Sequence, residues 1–151
     1  MKVYVGADHR GVEFKEKIKA ILKKLGYETL DQGTNDPQIS CDYPEVAYKV
    51  AHAVAQSKGT DRGILVCMSG IGQAIAANKV RGAYAALCYN AQAAVLSRQH
   101  NNANVLVLGA KFVDPNELES LIKSWLTTDF EGGRHQNRID KIKDIEQGKS
   151  F

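Results

Sequence analysis

Gly63-Ile-Leu-Val-Cys67-Met-Ser-Gly-Ile-Gly72-Gln-Ala-Ile-Ala-Ala-Asn78 runs from an apolar strand through a glycine-containing turn into a helix. A strand apolar at successive positions is buried on both faces, as in a parallel sheet covered by helices. The turn closes on a helix start, where unpaired backbone N–H groups favour negative charge. Cys67 stands at this junction, so its thiolate is expected to be stabilised and its pKa depressed. The same N–H groups can hold the oxyanion formed when a proton leaves a carbon beside a carbonyl. A buried cysteine is more often simple packing. Here Ser69, Gly70 and Gly72 let a ligand approach the backbone, which favours a site.

Outward from this segment the chain alternates strand and helix. Lys2–Ala7 reads as an opening strand, and Phe14, Ile18, Ile21, Leu22 and Leu25 then recur at helical spacing until Gly26. Tyr27–Leu30 reads as a second strand, followed by a loop from Asp31 to Pro44 rich in Asp, Asn, Gly and Pro. Pro44 suits the first turn of a helix that turns Val46, Ala47, Val50, Ala51 and Val54 inward. Gly63–Cys67, Ala83–Leu87 and Val105–Leu108 supply three more strands, with a small-residue helix over Asn90–Arg98. Asp114 is expected to cap a helix carrying Leu118, Leu121, Ile122, Trp125 and Leu126, and a last polar helix runs to about Gln147. The pattern predicts a three-layer α/β/α sandwich on a five-stranded parallel sheet, Rossmann-like, in one domain spanning 1–151.

Composition narrows the function classes. The 151 residues suit one substantial core, and 44% apolar with 25% charged residues is a globular balance. A net charge of +3 with interspersed signs gives no reason to expect nucleic acid. No apolar run reaches membrane-spanning length, and the chain enters a strand without a signal peptide. Three unevenly spaced cysteines lack a CxxC pair, which argues for a reducing compartment and a cytoplasmic location.

Ligands of such sheets bind beyond the carboxyl ends of the strands. Asp8-His9-Arg10-Gly11 follows the first strand there, and the Cys67–Gly72 turn follows the third. Arg98-Gln-His100-Asn-Asn-Ala-Asn104 follows a helix, so topology alone does not place His100 at the site. His52, inside a helix, reads as structural. Gly132-Gly-Arg134-His-Gln-Asn-Arg138 puts two arginines at i, i+4 on a helix start, which opposes the macrodipole unless an anion lies between them. Arginine forks and free N–H groups suit a phosphate well, and two solvated arginines fit the same pattern equally. Gly6–Gly11 has P-loop spacing but Val12-Glu13 stands where Lys-Ser/Thr is needed. Ile75 breaks the dinucleotide fingerprint begun by Gly70 and Gly72. No metal-ligand spacing of His, Asp and Glu occurs, so no metal is expected.

Six blocks, in order, carry a resemblance over nearly the whole chain: Gly6-Ala-Asp-His9, Asp42-Tyr-Pro44, Gly63–Gly72, Ala76-Ala-Asn-Lys79, Ser97–Asn104 and Glu131–Arg138. The sequence resembles the B-type ribose-5-phosphate isomerases, a family that includes allose- and galactose-6-phosphate isomerases. The resemblance implies interconversion of aldose and ketose phosphates without metal or cofactor, in a homodimer or pair of dimers with sites at the subunit interface. It implies that Cys67 is the base moving a proton between C1 and C2. Some members use instead a glutamate after the second glycine of the turn; Gln73 stands there and cannot act as a base. Ser69 joins Cys67 in the catalytic set, and Met68, Ser69, Gly70, Ile71 and Gly72 would hold the enediolate. His100 would open the furanose ring, helped by Asp8, with Asn101 and Tyr43 also binding the sugar. His9, Arg134 and Arg138 match phosphate ligands. Met68 replaces a residue that is usually glycine, and Lys111 stands where an arginine commonly meets phosphate, keeping charge without the bidentate fork. The expected reaction is therefore ribose 5-phosphate to ribulose 5-phosphate. A six-carbon aldose phosphate is the alternative substrate, and a non-catalytic sugar-phosphate-binding module is the alternative outside the class.

Overall fold

Alternation of apolar side chains along each strand builds two cores, one on either side of a single sheet. The computed structural model describes residues 1–150. Its strands are β1 (Lys2–Ala7), β2 (Glu28–Asp31), β3 (Arg62–Cys67), β4 (Ala85–Leu87) and β5 (Val105–Gly109). Its helices are α1 (Val12–Lys24), α2 (Tyr43–Gln56), α3 (Ile71–Ala77), α4 (Ala91–Asn101), α5 (Leu118–Thr127) and α6 (Arg134–Glu146). Val3, Val5, Ile64, Val66, Leu106 and Leu108 face α1, α4 and α5, around the fully buried Trp125. The intervening Leu65, Val105 and Val107 face α2 and its Val46, Val50 and Val54. Burial on both faces makes β3 and β5 the continuously apolar strands that the sequence indicated.

The sheet is wholly parallel, in the order β2-β1-β3-β5-β4, and the expected three-layer α/β/α architecture is what the chain adopts. Val5 pairs with Ile64, and Cys67 with Gly109. The chain leaves β1 toward β2 on one side and later enters β3 on the other. The carboxyl ends of β1 and β3 therefore flank the crevice where an open α/β sheet takes its ligand.

Several element ends differ from the sequence reading. The fourth strand begins at Ala85, because Tyr84 N–H is taken by the Asn104 side chain (2.7 Å) and Ala83 N–H by Val80. Asp114 does not cap α5. Its carboxylate accepts from Asn116 N–H (2.8 Å) in a tight turn through Pro115, and the helix starts only at Leu118. Asn90 does cap α4, its side chain accepting from Ala93 N–H at 2.8 Å.

Lys15 is the most consequential polar residue outside the site. It is completely buried, and its ammonium donates to Asp31 Oδ1 (2.9 Å), Thr34 O (2.7 Å) and Asn35 Oδ1 (2.8 Å). Burial alone would raise Asp31, yet hydrogen bonds from Lys15, Lys19 and Gly33 N–H hold its carboxyl below the ordinary value. Removing one partner of such a pair leaves an uncompensated charge. Asp31→Ala is therefore expected to lower unfolding free energy by about 3–5 kcal/mol in urea titrations. Lys15→Met, which deletes the charge and keeps the volume, should cost clearly less. Equal losses would mean that the ion pair itself, and not the stranded ammonium, provides the stability.

Candidate active site

The crevice at the ends of β1 and β3 is a cleft of about 350 Å³. It is lined by Asp8, His9, Cys67, Met68, Ser69 and Gly72 on the sheet side and by Ser40 to Tyr43 opposite. Asp8 is buried, and one of its oxygens accepts from the N–H groups of Arg10 (3.0 Å) and Gly11 (3.1 Å). That fixes the β1–α1 turn and places His9 on the cleft wall. His9 Nδ1 accepts from Cys41 N–H at 3.4 Å, which leaves Nε2 as the ring's donor.

The turn after β3 is built around sulfur. Cys67 Sγ accepts from Gly70 N–H at 3.1 Å, and the N–H groups of Ser69 and Gln73 also point at it. Gly70 takes φ +82°, a left-handed conformation that suits glycine, and starts α3 immediately behind the thiol. Two cross-links, Ala110 N–H to Cys67 O (2.9 Å) and Lys111 N–H to Met68 O (3.1 Å), pin the turn to the end of β5. A side chain at Gly72 would stand 2.6 Å from the Tyr43 ring, so glycine lets that ring close the cleft.

The expected depressed thiol pKa is not what this geometry gives. Burial pushes the Cys67 thiol up, and the Asp8 carboxylate adds to it; the N–H groups of Gly70, Ser69 and Gln73 pull it down without offsetting them. The sequence reading weighed the helix start and could not weigh the depth of the strand end. Gln73 is wholly buried, and neither atom of its side-chain amide has a partner among the described residues.

His100, Asn101, Arg134 and Arg138 do not line this cleft. Helix α4 leaves the carboxyl end of β4 and runs back along the sheet. Its end is tied down by Arg98, whose guanidinium donates to Ala103 O (2.7 Å) and Asn102 Oδ1 (2.9 Å). The next residue but one, Asn104, accepts from Gly63 N–H at the amino end of β3. His100 and Asn101 therefore sit near the amino ends of the strands, away from Cys67. Arg134 and Arg138 are exposed on the first turns of α6, beside the same region. Lys111 is exposed at the end of β5, next to the Met68 turn. His52 stacks on Tyr48 (5.4 Å) on the exposed side of α2.

Two residues given no role by the sequence join His100. His135 is buried and stacks on it with ring centres 4.3 Å apart and planes 8° from parallel. Glu131 Oε2 lies 3.9 Å from His100 Nε2 and 3.6 Å from His135 Nε2. Burial, His100 and the two arginines push the His135 imidazole below its ordinary value, against Glu131. Glu131 and His135 stand at i, i+4, but His100 comes from the end of a different helix, so no sequence spacing could have joined all three. Among the described residues no helix is long and apolar enough to cross a membrane.

Known proteins match this chain from end to end. The sequence profile of the Ribose/Galactose Isomerase family covers residues 3–142. Ribose-5-phosphate isomerase B of Escherichia coli is 42% identical over 149 residues, covering 99% of both chains. The solved structure of ribose-5-phosphate isomerase B from Clostridium thermocellum superposes with a TM-score of 0.93 at 46% identity, over 99% of this chain and 100% of that one. The enzyme from Mycoplasma genitalium, solved with bound ribulose 5-phosphate, gives a TM-score of 0.93 at 41% identity over 98% and 97% of the two chains. With fold and length matched so fully, the chain belongs to the ribose/galactose isomerase family and is an aldose–ketose isomerase.

Proposed function

We propose that this chain interconverts ribose 5-phosphate and ribulose 5-phosphate through a cis-enediolate, with Cys67 as the base. The observation that carries the reading is Cys67 Sγ on the wall of a sugar-sized cleft, ringed by the N–H groups of its own turn. As thiolate, Cys67 takes the C2 proton of the open-chain aldose. The electron pair passes to the carbonyl oxygen, giving an enediolate that the 68–72 backbone and Ser69 stabilise. The hydroxyl proton on O2 passes to O1, the C2–O2 bond becomes the carbonyl, and delivery of the proton from Cys67 to C1 completes the ketose. One carbon-bound proton is lost at C2 and one is gained at C1 by way of the thiol, where it can exchange with solvent, so the reaction balances without an external oxidant or cofactor.

Ring opening needs an acid, and phosphate needs more cations than His9 and Arg10 bring to this cleft. A second copy supplies both in our reading. His100 opens the furanose with Asp8 assisting, Asn101 and Tyr43 hold hydroxyls, and Arg134 and Arg138 bind phosphate with His9 and Lys111. Exposed Ile71, Ile75, Tyr89 and Phe112 beside the turn give the copies an apolar surface to bury. Met68 lines the cleft and receives Arg10 Nη1 at 3.7 Å, occupying room that glycine would leave and favouring a five-carbon chain. Three unpaired cysteines fit a cytoplasmic setting.

A steady-state panel of aldose phosphates in deuterated water tests the assignment. Ribose 5-phosphate should turn over fastest, with deuterium entering the product. Free ribose should be a very poor substrate, and Arg138→Ala should chiefly raise KM, because charge-assisted hydrogen bonds contribute roughly 1.5–3 kcal/mol each. Preference for allose 6-phosphate would move the substrate to the six-carbon class. Comparable turnover of ribose and its phosphate would sink the phosphate site.

A further inference from the structure

The fold assembles two imidazoles and a carboxylate that the isomerase reading employs only in part. His100 Nε2, Glu131 Oε2 and His135 Nε2 belong to three different segments, and one ligand atom from each lies within 4.8 Å of the others. We propose that these three side chains form a site for a divalent transition ion of the zinc type, and that the ion inhibits the enzyme by occupying His100.

Zinc bonds imidazole nitrogen at ~2.0–2.1 Å and carboxylate oxygen at ~2.0–2.2 Å, so tetrahedral ligand atoms stand ~3.3–3.5 Å apart. The two nitrogen–oxygen separations here are 3.9 and 3.6 Å, within a few tenths of that spacing. His135 is the fixed point, being buried beneath the stack. Stacked rings keep their nitrogen lone pairs in two parallel planes, so one ring has to tilt for both to reach one ion. His100 has the freedom to do so: it is 39% exposed and sits in the last turn of α4, while Glu131 lies on a loop and is 49% exposed. Two neutral imidazoles with one carboxylate is the donor set that selects zinc, cobalt or nickel over magnesium and calcium. Three protein ligands also leave a fourth position open to water. Arg134 and Arg138 nearby oppose a cation, so binding should be reversible at micromolar zinc and not permanent.

The inhibitory half of this inference rests on the proposed role of His100. An ion on Nε2 removes the proton that ring opening needs, and it reaches the site by the route the sugar takes. Substrate and zinc should therefore compete.

Calorimetric titration of zinc chloride into Cys67→Ala, which lacks the cleft thiol, reads the site without relying on activity. One zinc per chain is expected, and no magnesium at the same concentration. Glu131→Gln and His135→Asn should each weaken zinc binding by at least about tenfold. Undiminished binding in both would overturn the site. Cobalt(II) on the unmutated chain gives a check free of folding effects: a tetrahedral visible spectrum, displaced by zinc, without a thiolate charge-transfer band. A strong thiolate band would place the ion on cysteine and refute the assignment. In turnover assays zinc should slow the unmutated enzyme, with ribose 5-phosphate protecting. His135→Asn, measured against its own zinc-free rate, should resist. Equal zinc sensitivity in that variant would overturn the inhibitory half. A chain that binds zinc as described yet isomerises no sugar phosphate would instead refute the catalytic reading alone.

Discussion

Cys67→Ala should bind ribose 5-phosphate nearly as tightly as the unmutated chain yet lose exchange of the C2 proton with solvent by at least about 10²–10⁴-fold. In the proposed mechanism only the base is removed; the cleft and the N–H groups of the turn remain. The raised thiol adds a sign to the prediction. Burial favours the neutral thiol, so the reactive thiolate grows in population as pH rises, and kcat/KM should climb from neutral into the alkaline range. A profile flat across that interval, or near-normal exchange in Cys67→Ala, would remove Cys67 as the base. Alkylation separates the thiols further. Burial, only partly opposed by Ser97, pushes Cys88 up to about 11, so Cys67 should react faster and saturating sugar phosphate should protect it.

Mixing two dead variants should restore activity. Cys67→Ala retains His100, and His100→Asn retains Cys67; each alone has no complete site if the residues come from different copies. Random reassortment makes about half of the dimers mixed, each with one of two sites intact, so recovery should approach about a quarter of the unmutated rate. Denaturing the two together and refolding the mixture ensures exchange. The separation of His100 from the Cys67 cleft by the length of the sheet motivates the experiment. No recovery, with mixed dimers demonstrated by tagged chains, would mean that both groups act within one chain after a rearrangement.

Much of the architecture was legible in the sequence, because burial on both faces leaves a signal that needs no tertiary knowledge. Ile64 to Val66 and Val105 to Leu108 are apolar at every position, and all five strands lie where the pattern put them, to within a few residues. The misreadings have physical causes. Asp114 obeys the capping preference, but Pro115 and the Asn116 N–H favour a turn first. The direction of the Cys67 shift depends on the depth of the strand end and on the nearby Asp8, neither of which is a property of local sequence. Strand order is likewise silent in the residues. It decides that Asp8 and Cys67 share one crevice, because β1 and β3 are neighbours in the sheet. Glu131 and His135 stood inside a recognised block without a role, since their partnership with His100 exists only in three dimensions.

The buried ammonium of Lys15 has a bearing on substrate affinity as well as on folding. Through Thr34 and Asn35 it fastens the start of the loop whose far end, Ser40 to Tyr43, forms the outer wall of the cleft. A wall tethered in this way has surrendered much of its freedom before any sugar arrives. Binding then loses little loop entropy, and more of the contact energy appears as affinity. Untethering the loop should leave every atom that touches the sugar in place and still weaken the complex, chiefly through an unfavourable binding entropy.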